Sequence, residues 1–357
     1  MKNIVICFDG TGGTVRASGN TNVVQLFRRL SNDRVRQLTY YDPGVGTFSA
    51  AGAWTPVAQK FSRWFGTWFG SGMRTNLEEA YTFLINYWEP KDHIFVFGFS
   101  RGAYCARALT GMLHLIGVMR PGADNLVRYA VSNYARRNPD WRKDDWHQAR
   151  QFASIMSERV DGKISVPVHY LGVWDTVKAP GILRRSMVWP FTRSLPNVEK
   201  GRHAVSVDEK RRPFREYLID PANTTIEEVW FAGVHSDVGG GFLDQPRLGD
   251  IALKWITEGA KDAGIVMRED RPLPTVGPQH ATAIIHRMDW YWALLTFRRR
   301  RVPSGARVHA SVRQRIDAQP IYARNRIPKD VRWADEHWAD PPGSEPALIG
   351  ADGEVHE

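Results

Sequence analysis

Residues Ile94-Phe95-Val96-Phe97 run directly into Gly98-Phe99-Ser100-Arg101-Gly102, and Ala103 to Leu115 then reads as a helix. An apolar run, a Gly-x-Ser-x-Gly turn and a helix in succession call for a buried strand that reverses sharply into a helix. Such a turn leaves the serine hydroxyl exposed at a helix N-terminus, where unpaired N–H groups favour negative charge. Gly98 and Gly102 suit it because a side chain at either position would strike the neighbouring strand or helix. The plainer alternative is an ordinary strand-turn-helix whose glycines only make the turn.

Further apolar runs follow the same plan. Ile4 to Phe8 ends in Asp9-Gly10-Thr11-Gly12-Gly13, and Leu38 to Tyr41 stops at Asp42-Pro43-Gly44. Val166 to Trp174 ends at Asp175-Thr176, and Glu227 to Val234 at His235-Ser236-Asp237-Val238-Gly239-Gly240-Gly241. Helical patterns over Asn22 to Leu30, Asn76 to Trp88 and Leu248 to Ala263 separate these strands. Apolar strands alternating with helices predict an α/β fold whose mostly parallel central sheet is covered by helices on both faces. The expected organisation is a catalytic domain over 1–265, with insertions at about 46–75 and 178–215. A basic extension rich in Trp, Arg and Pro, 266–357, is expected to pack on the same domain.

Composition narrows the class. Hydrophobic content of 43% and charged content of 24% are those of an ordinary globular protein. No apolar run is long enough to span a bilayer, and Met1-Lys2-Asn3 leads straight into a strand, so a cytoplasmic product without a signal peptide is expected. Cys7 and Cys105 both sit in apolar segments, which predicts neither a disulfide framework nor a thiolate metal site. No metal and no cofactor are expected. The net charge of +10 concentrates at Arg298-Arg299-Arg300-Arg301, directly after the aromatic stretch Trp290 to Phe297. That pairing suits peripheral contact with anionic lipid through Trp290 to Arg301 better than it suits nucleic acid. A packed amphipathic helix with a solvated basic end is the other reading. The aromatic segment 54–69, with Phe61, Trp64, Phe65, Trp68 and Phe69 at helical spacing, reads either as a lid or as core.

In a parallel sheet the reactive groups gather at the carboxyl ends of the strands. The polar residues there are Asp9, Ser100, Asp175 and His235. A serine hydroxyl needs a base to take its proton, and the base needs a carboxylate to hold its tautomer. Ser100, Asp175 and His235 supply these in the chain order Ser, Asp, His. Asp237 rivals Asp175 as the acid, its other reading being a turn-forming Asp. His203, placed in the basic insertion, is the second candidate base. An oxyanion would be held by the Arg101 amide and by those of Gly10 and Thr11. Asp9 could shape that loop, ligate a metal or act as an acid in another reaction. The Arg101 side chain could bind an anionic substrate group or form an ion pair. A metal-dependent phosphoesterase built on Asp9, Asp175, His235 and Asp237, and a non-catalytic binding module on a hydrolase fold, remain the alternatives.

Taken together, Phe8-Asp9-Gly10-Thr11, Tyr41-Asp42-Pro43-Gly44-Val45-Gly46, Gly98-Phe99-Ser100-Arg101-Gly102-Ala103, Gly172-Val173-Trp174-Asp175-Thr176-Val177 and Val229 to Gly241 resemble one family. It is the catalytic domain of type VI secretion phospholipase effectors, matched in order from about residue 3 to about residue 265. The resemblance implies an α/β-hydrolase fold and a Ser-Asp-His hydrolase of lipid esters. Ser100 would be the nucleophile, Asp175 the orienting acid and His235 the base. It also implies export by a type VI system, with a delivery or immunity partner of unknown identity.

Overall fold

The computed structural model describes residues 1–10, 18–44, 71–135, 141–178, 189–243, 247–287, 298–322 and 326–340. Its apolar runs become strands because both of their faces are covered. Along β1 (Asn3–Phe8), Ile4, Ile6 and Phe8 enter one hydrophobic cluster, while Val5 and Cys7 enter another on the opposite side. Alternating side chains that are all apolar leave no face for water, which is why β1 shows no polar alternation.

Seven further strands join it: β2 (Gln37–Asp42), β3 (His93–Phe99), β4 (Val168–Trp174), β5 (Val198–Ser206), β6 (Ile226–Phe231), β7 (Arg307–His309) and β8 (Arg332–Ala334). The spatial order is β2-β1-β3-β4-β5-β6-β7-β8, and every neighbouring pair is parallel. On one face lie α2 (Ser71–Tyr87), α3 (Arg101–Leu115), α4 (Val127–Tyr134) and α5 (Lys143–Met156). The other face carries α1 (Asn22–Phe27) and α7 (Leu248–Asp262), which pack on each other, with the short α6 (His235–Gly239) against α7. Helix α7 is pinned to β4 by polar contacts as well as packing. The Tyr170 hydroxyl donates to Ile256 O at 2.8 Å and Trp174 Nε1 to Ala252 O at 3.3 Å.

Two features depart from the sequence expectation. Within the stretch read as an irregular basic insertion, 178–215, residues Val198–Ser206 form β5 in the middle of the sheet. Its first half carries Glu199, Lys200 and Arg202, so it lacks the apolar run that marks the other central strands. The structure accommodates the charge by pairing: Arg202 donates to Glu227 and to Trp255 O, and lies over the Trp255 ring. The region beyond 265 also adds β7 and β8 to the same sheet, with α8 (Ala310–Ala318) against them. Val205, Trp230, Val308 and Val312 form a third cluster under this edge.

Because all strands run the same way, their carboxyl ends share one edge. The ladder continues a residue past them: Asp9 N donates to Asp42 O (2.9 Å), Ser100 N to Trp174 O (3.0 Å) and Asp175 N to Ala204 O (2.7 Å). These bonds set Asp9, Ser100 and Asp175 side by side. Among the described residues no helix is long and apolar enough to cross a membrane.

The elbow depends on close backbone approach. A Cβ placed on Gly102 would lie 2.3 Å from Phe8 O, so α3 can start against β1 only with glycine there. Gly102→Ala is therefore expected to lower stability by about 3 kcal/mol, as overpacking against rigid backbone does. Urea unfolding checks this, and an unchanged midpoint would contradict the contact.

Candidate active site

Ser100 sits between β3 and α3 with φ 60° and ψ −119°, outside the regions that non-glycine residues favour. Strain of this kind persists only where the surroundings hold it, and it concentrates at functional sites. Here the strand ladder fixes Ser100 N on one side and Val177 N donates to Ser100 O at 3.3 Å on the other. Asp175, at the end of β4, also has a positive φ, 37°.

His235 opens α6 just past β6, and its ring joins the other two side chains. Nδ1 lies 2.5 Å from Asp175 Oδ2, and Nε2 lies 2.7 Å from Ser100 Oγ. A carboxylate can only accept, so Nδ1 carries the ring proton and Nε2 is left to accept from the serine hydroxyl. Phe99 and Phe214 pack against the imidazole, with ring centroids 4.6 and 4.8 Å away. All three polar side chains are buried. Burial pushes His235 below the ordinary histidine range, against the opposing pull of Asp175. Burial alone would raise Asp175, but the Arg300 guanidinium and the His235 hydrogen bond outweigh it and hold this carboxyl well below the usual carboxylate range. Both shifts favour a neutral imidazole beside an ionised carboxylate.

Arg300 is the residue that sequence reasoning misplaced. Of the four consecutive arginines, Arg298, Arg299 and Arg301 are exposed while Arg300 is buried. Its guanidinium spans the Asp175 carboxylate, Nη1 to Oδ1 at 2.5 Å and Nη2 to Oδ2 at 3.1 Å. Nη1 also donates to Ser206 O and Oγ, and Nη2 to Phe214 O. A local pattern of four like residues carries no mark of which one turns inward. The aromatic stretch that precedes them, 290–297, lies outside the described residues, as does the 54–69 segment.

The remaining candidates separate. Asp9 accepts from Gly10 N (2.6 Å), Thr21 Oγ (2.8 Å) and the Tyr41 hydroxyl (2.8 Å), so it ties together the loop after β1, the start of α1 and β2. Burial raises its carboxyl above the usual range despite these bonds. Of the residues expected to supply oxyanion donors after β1, Gly10 gives its amide to Asp9 Oδ1, and Thr11 lies outside the described residues. Asp237 pairs with a different histidine, accepting from His286 Nδ1 at 2.6 Å and from Val234 N at 2.9 Å. His203 is a strand residue of β5 rather than part of an insertion. Its Nε2 accepts from Thr176 N at 3.3 Å, and Nδ1 lies 2.8 Å from Glu228 Oε2 and 3.2 Å from Arg107 Nη2. Arg101 is the first residue of α3. Its side chain is buried, which lowers its pKa, and it feels the charge of Asp42. Among the described residues no three His, Cys, Asp or Glu side chains form a cluster suited to a metal ion. Of the four groups of the metal-dependent reading, Asp175 and His235 bond to each other, while Asp9 and Asp237 are each held by other partners.

A parallel sheet covered on both faces, with a serine elbow and its polar groups along one strand-end edge, is an α/β-hydrolase fold. Residues 2–259 match the family model for the "T6SS, Phospholipase effector Tle1-like, catalytic domain", and the chain belongs to that family. The uncharacterized protein YEL023C of Saccharomyces cerevisiae is 34% identical over 232 residues, 62% of this chain and 33% of that protein. The chain thus spans about a third of the length of this curated relative. Three solved structures are also similar. An uncharacterized protein from Pseudomonas aeruginosa has a TM-score of 0.45 and 21% identity, over 76% of this chain and 47% of that one. The Tle1 effector bound to the VgrG spike from the type 6 secretion system gives 0.35 and 21%, over 67% and 51%. The apo form of Thermogutta terrifontis esterase 2 gives 0.35 and 11%, over 75% and 86%.

Asp9→Ala would strand three donors around the loop after β1. A loss of about 2 kcal/mol in unfolding free energy is expected, from buried hydrogen bonds left unmade. A wild-type urea midpoint in this variant would contradict the anchoring role.

Proposed function

We propose that this chain hydrolyses carboxylic esters of glycerophospholipids or related lipids through an acyl-enzyme. The observation that carries the reading is the hydrogen-bond relay from Ser100 Oγ through His235 to Asp175, held at a strained elbow. Membership of a phospholipase-effector family supports the choice of lipid ester as substrate.

In this reading Ser100 Oγ attacks the acyl carbonyl while its proton passes to His235 Nε2. The imidazolium that forms is stabilised by Asp175, already ionised and aimed at Nδ1. The developing oxyanion would be held by the Arg101 amide, at the N-terminus of α3, and by the amides of Gly10 and Thr11 after β1. Collapse of the intermediate returns the proton to the leaving alcohol, giving a lysolipid. Water then repeats the sequence on the acyl-enzyme and releases the fatty acid. Delivery by a type VI apparatus, and a partner on that apparatus, follow as proposals from the family.

Ser100→Ala and His235→Ala are each expected to cut fatty-acid release from phosphatidylethanolamine mixed micelles by about 10³-fold or more. Undiminished release by the Ser100→Ala protein would remove the mechanism. The pH profile provides a second check. A histidine disfavoured as imidazolium stays neutral to lower pH, so the acid limb of kcat/KM should fall below the ordinary histidine value of about 6.5. A limb well above that value would mean that another group, or an unburied His235, governs the proton.

A further inference from the structure

We propose that Arg300 is a positioning residue of this site, acting through Asp175 as a buried counter-ion that fixes both carboxylate oxygens and the wall behind His235. The inference rests on the reading of Ser100, His235 and Asp175 given above. It extends the site beyond residues 2–259, the segment the family model matches.

The geometry argues for a clamp. Asp175 Oδ1 accepts from Ser206 N and Arg300 Nη1, and Oδ2 from Arg300 Nη2 and His235 Nδ1. A carboxylate gripped at both oxygens cannot rotate away from the imidazole. The same guanidinium holds Phe214 O, and the Phe214 ring packs edge-on against His235. Arg300 therefore restrains the acid and one face of the base at once. The planar fork of an arginine suits a two-oxygen grip, whereas a lysine would offer a single point charge.

The cation also sets the charge that His235 experiences. The groups facing the imidazole are Asp175 at the end of β4, Glu209 and Arg211 after β5, and Arg300 behind Asp175. Glu209 is bonded to Arg211 at 2.7 Å and accepts from His235 N, while Arg300 Nε faces Glu216 at 3.6 Å. Asp175 and Arg300 form one neutral pair and Glu209 and Arg211 another, so imidazolium gains little beyond the direct bond to Asp175. With Arg300 removed, Asp175 would be an uncompensated anion in contact with His235. The imidazolium would then be favoured and the neutral base lost at a higher pH.

The test follows the rate of fluorophosphonate labelling of the full-length protein from pH 5 to pH 9, read by intact mass. Labelling forms a Ser100 Oγ–P bond and expels fluoride, and it needs neutral His235 without requiring the natural lipid. Arg300→Met is expected to move the acid limb upward by about one pH unit, and to lower the plateau rate roughly tenfold. Arg300→Lys keeps the charge but loses the fork, so its limb should stay near wild type with a lowered plateau. A merely structural arginine would not move the limb. An Arg300→Met protein with the wild-type limb and plateau overturns the assignment. Should thermal melting show that Arg300→Met does not fold, Arg300→Lys decides: a wild-type plateau overturns the clamp, and a lowered plateau with an unmoved limb upholds it. Failure of the wild type to label at Ser100 would instead overturn the reading of the site itself.

Discussion

The Asp175 carboxylate is the point on which the site depends. It is buried, held well below the usual carboxylate range by Arg300 and His235, and bonded to groups from three other parts of the chain: the end of β5, the start of α6 and the segment before β7. An isolated carboxylate in such a place would be too costly to keep charged. Four hydrogen bonds, two of them from one guanidinium, make it tolerable, and in doing so they dictate where those elements meet. The position of the histidine relative to the serine is then a consequence of how that charge is satisfied.

The parallel sheet makes this convergence achievable. Strands that all end on one edge deliver Asp9, Ser100 and Asp175 as neighbours before any loop is considered. Close approach does the rest, since Gly98 and Gly102 let the elbow turn against backbone that a side chain would displace. Asp9 belongs to the same edge yet has another task. Its bonds to Gly10, Thr21 and Tyr41 tie the end of β1 to the start of α1 and to β2.

Much of this was legible in the sequence where the signal is local. Ser100 stands out because an apolar run, two glycines and a helix surround it within a few residues, and β1, β3 and β4 because both of their faces must be apolar. The misreadings share a cause: the deciding partner is distant. β5 looked like an insertion because Arg202 finds its acceptors on β6 and α7, remote in sequence. Asp237 stayed a rival to Asp175 because nothing nearby reveals that His286 donates to it. Arg300 was hidden most completely, since it is one of four identical residues and only the tertiary path toward β7 decides which is buried.

The central claim is that Ser100 is an activated nucleophile, and intact-mass measurement after brief exposure to a fluorophosphonate at neutral pH tests it most directly. The account predicts one adduct on the wild-type chain, mapping to Ser100 and absent from Ser100→Ala. Either an unlabelled wild type or an equal adduct on the variant would contradict it.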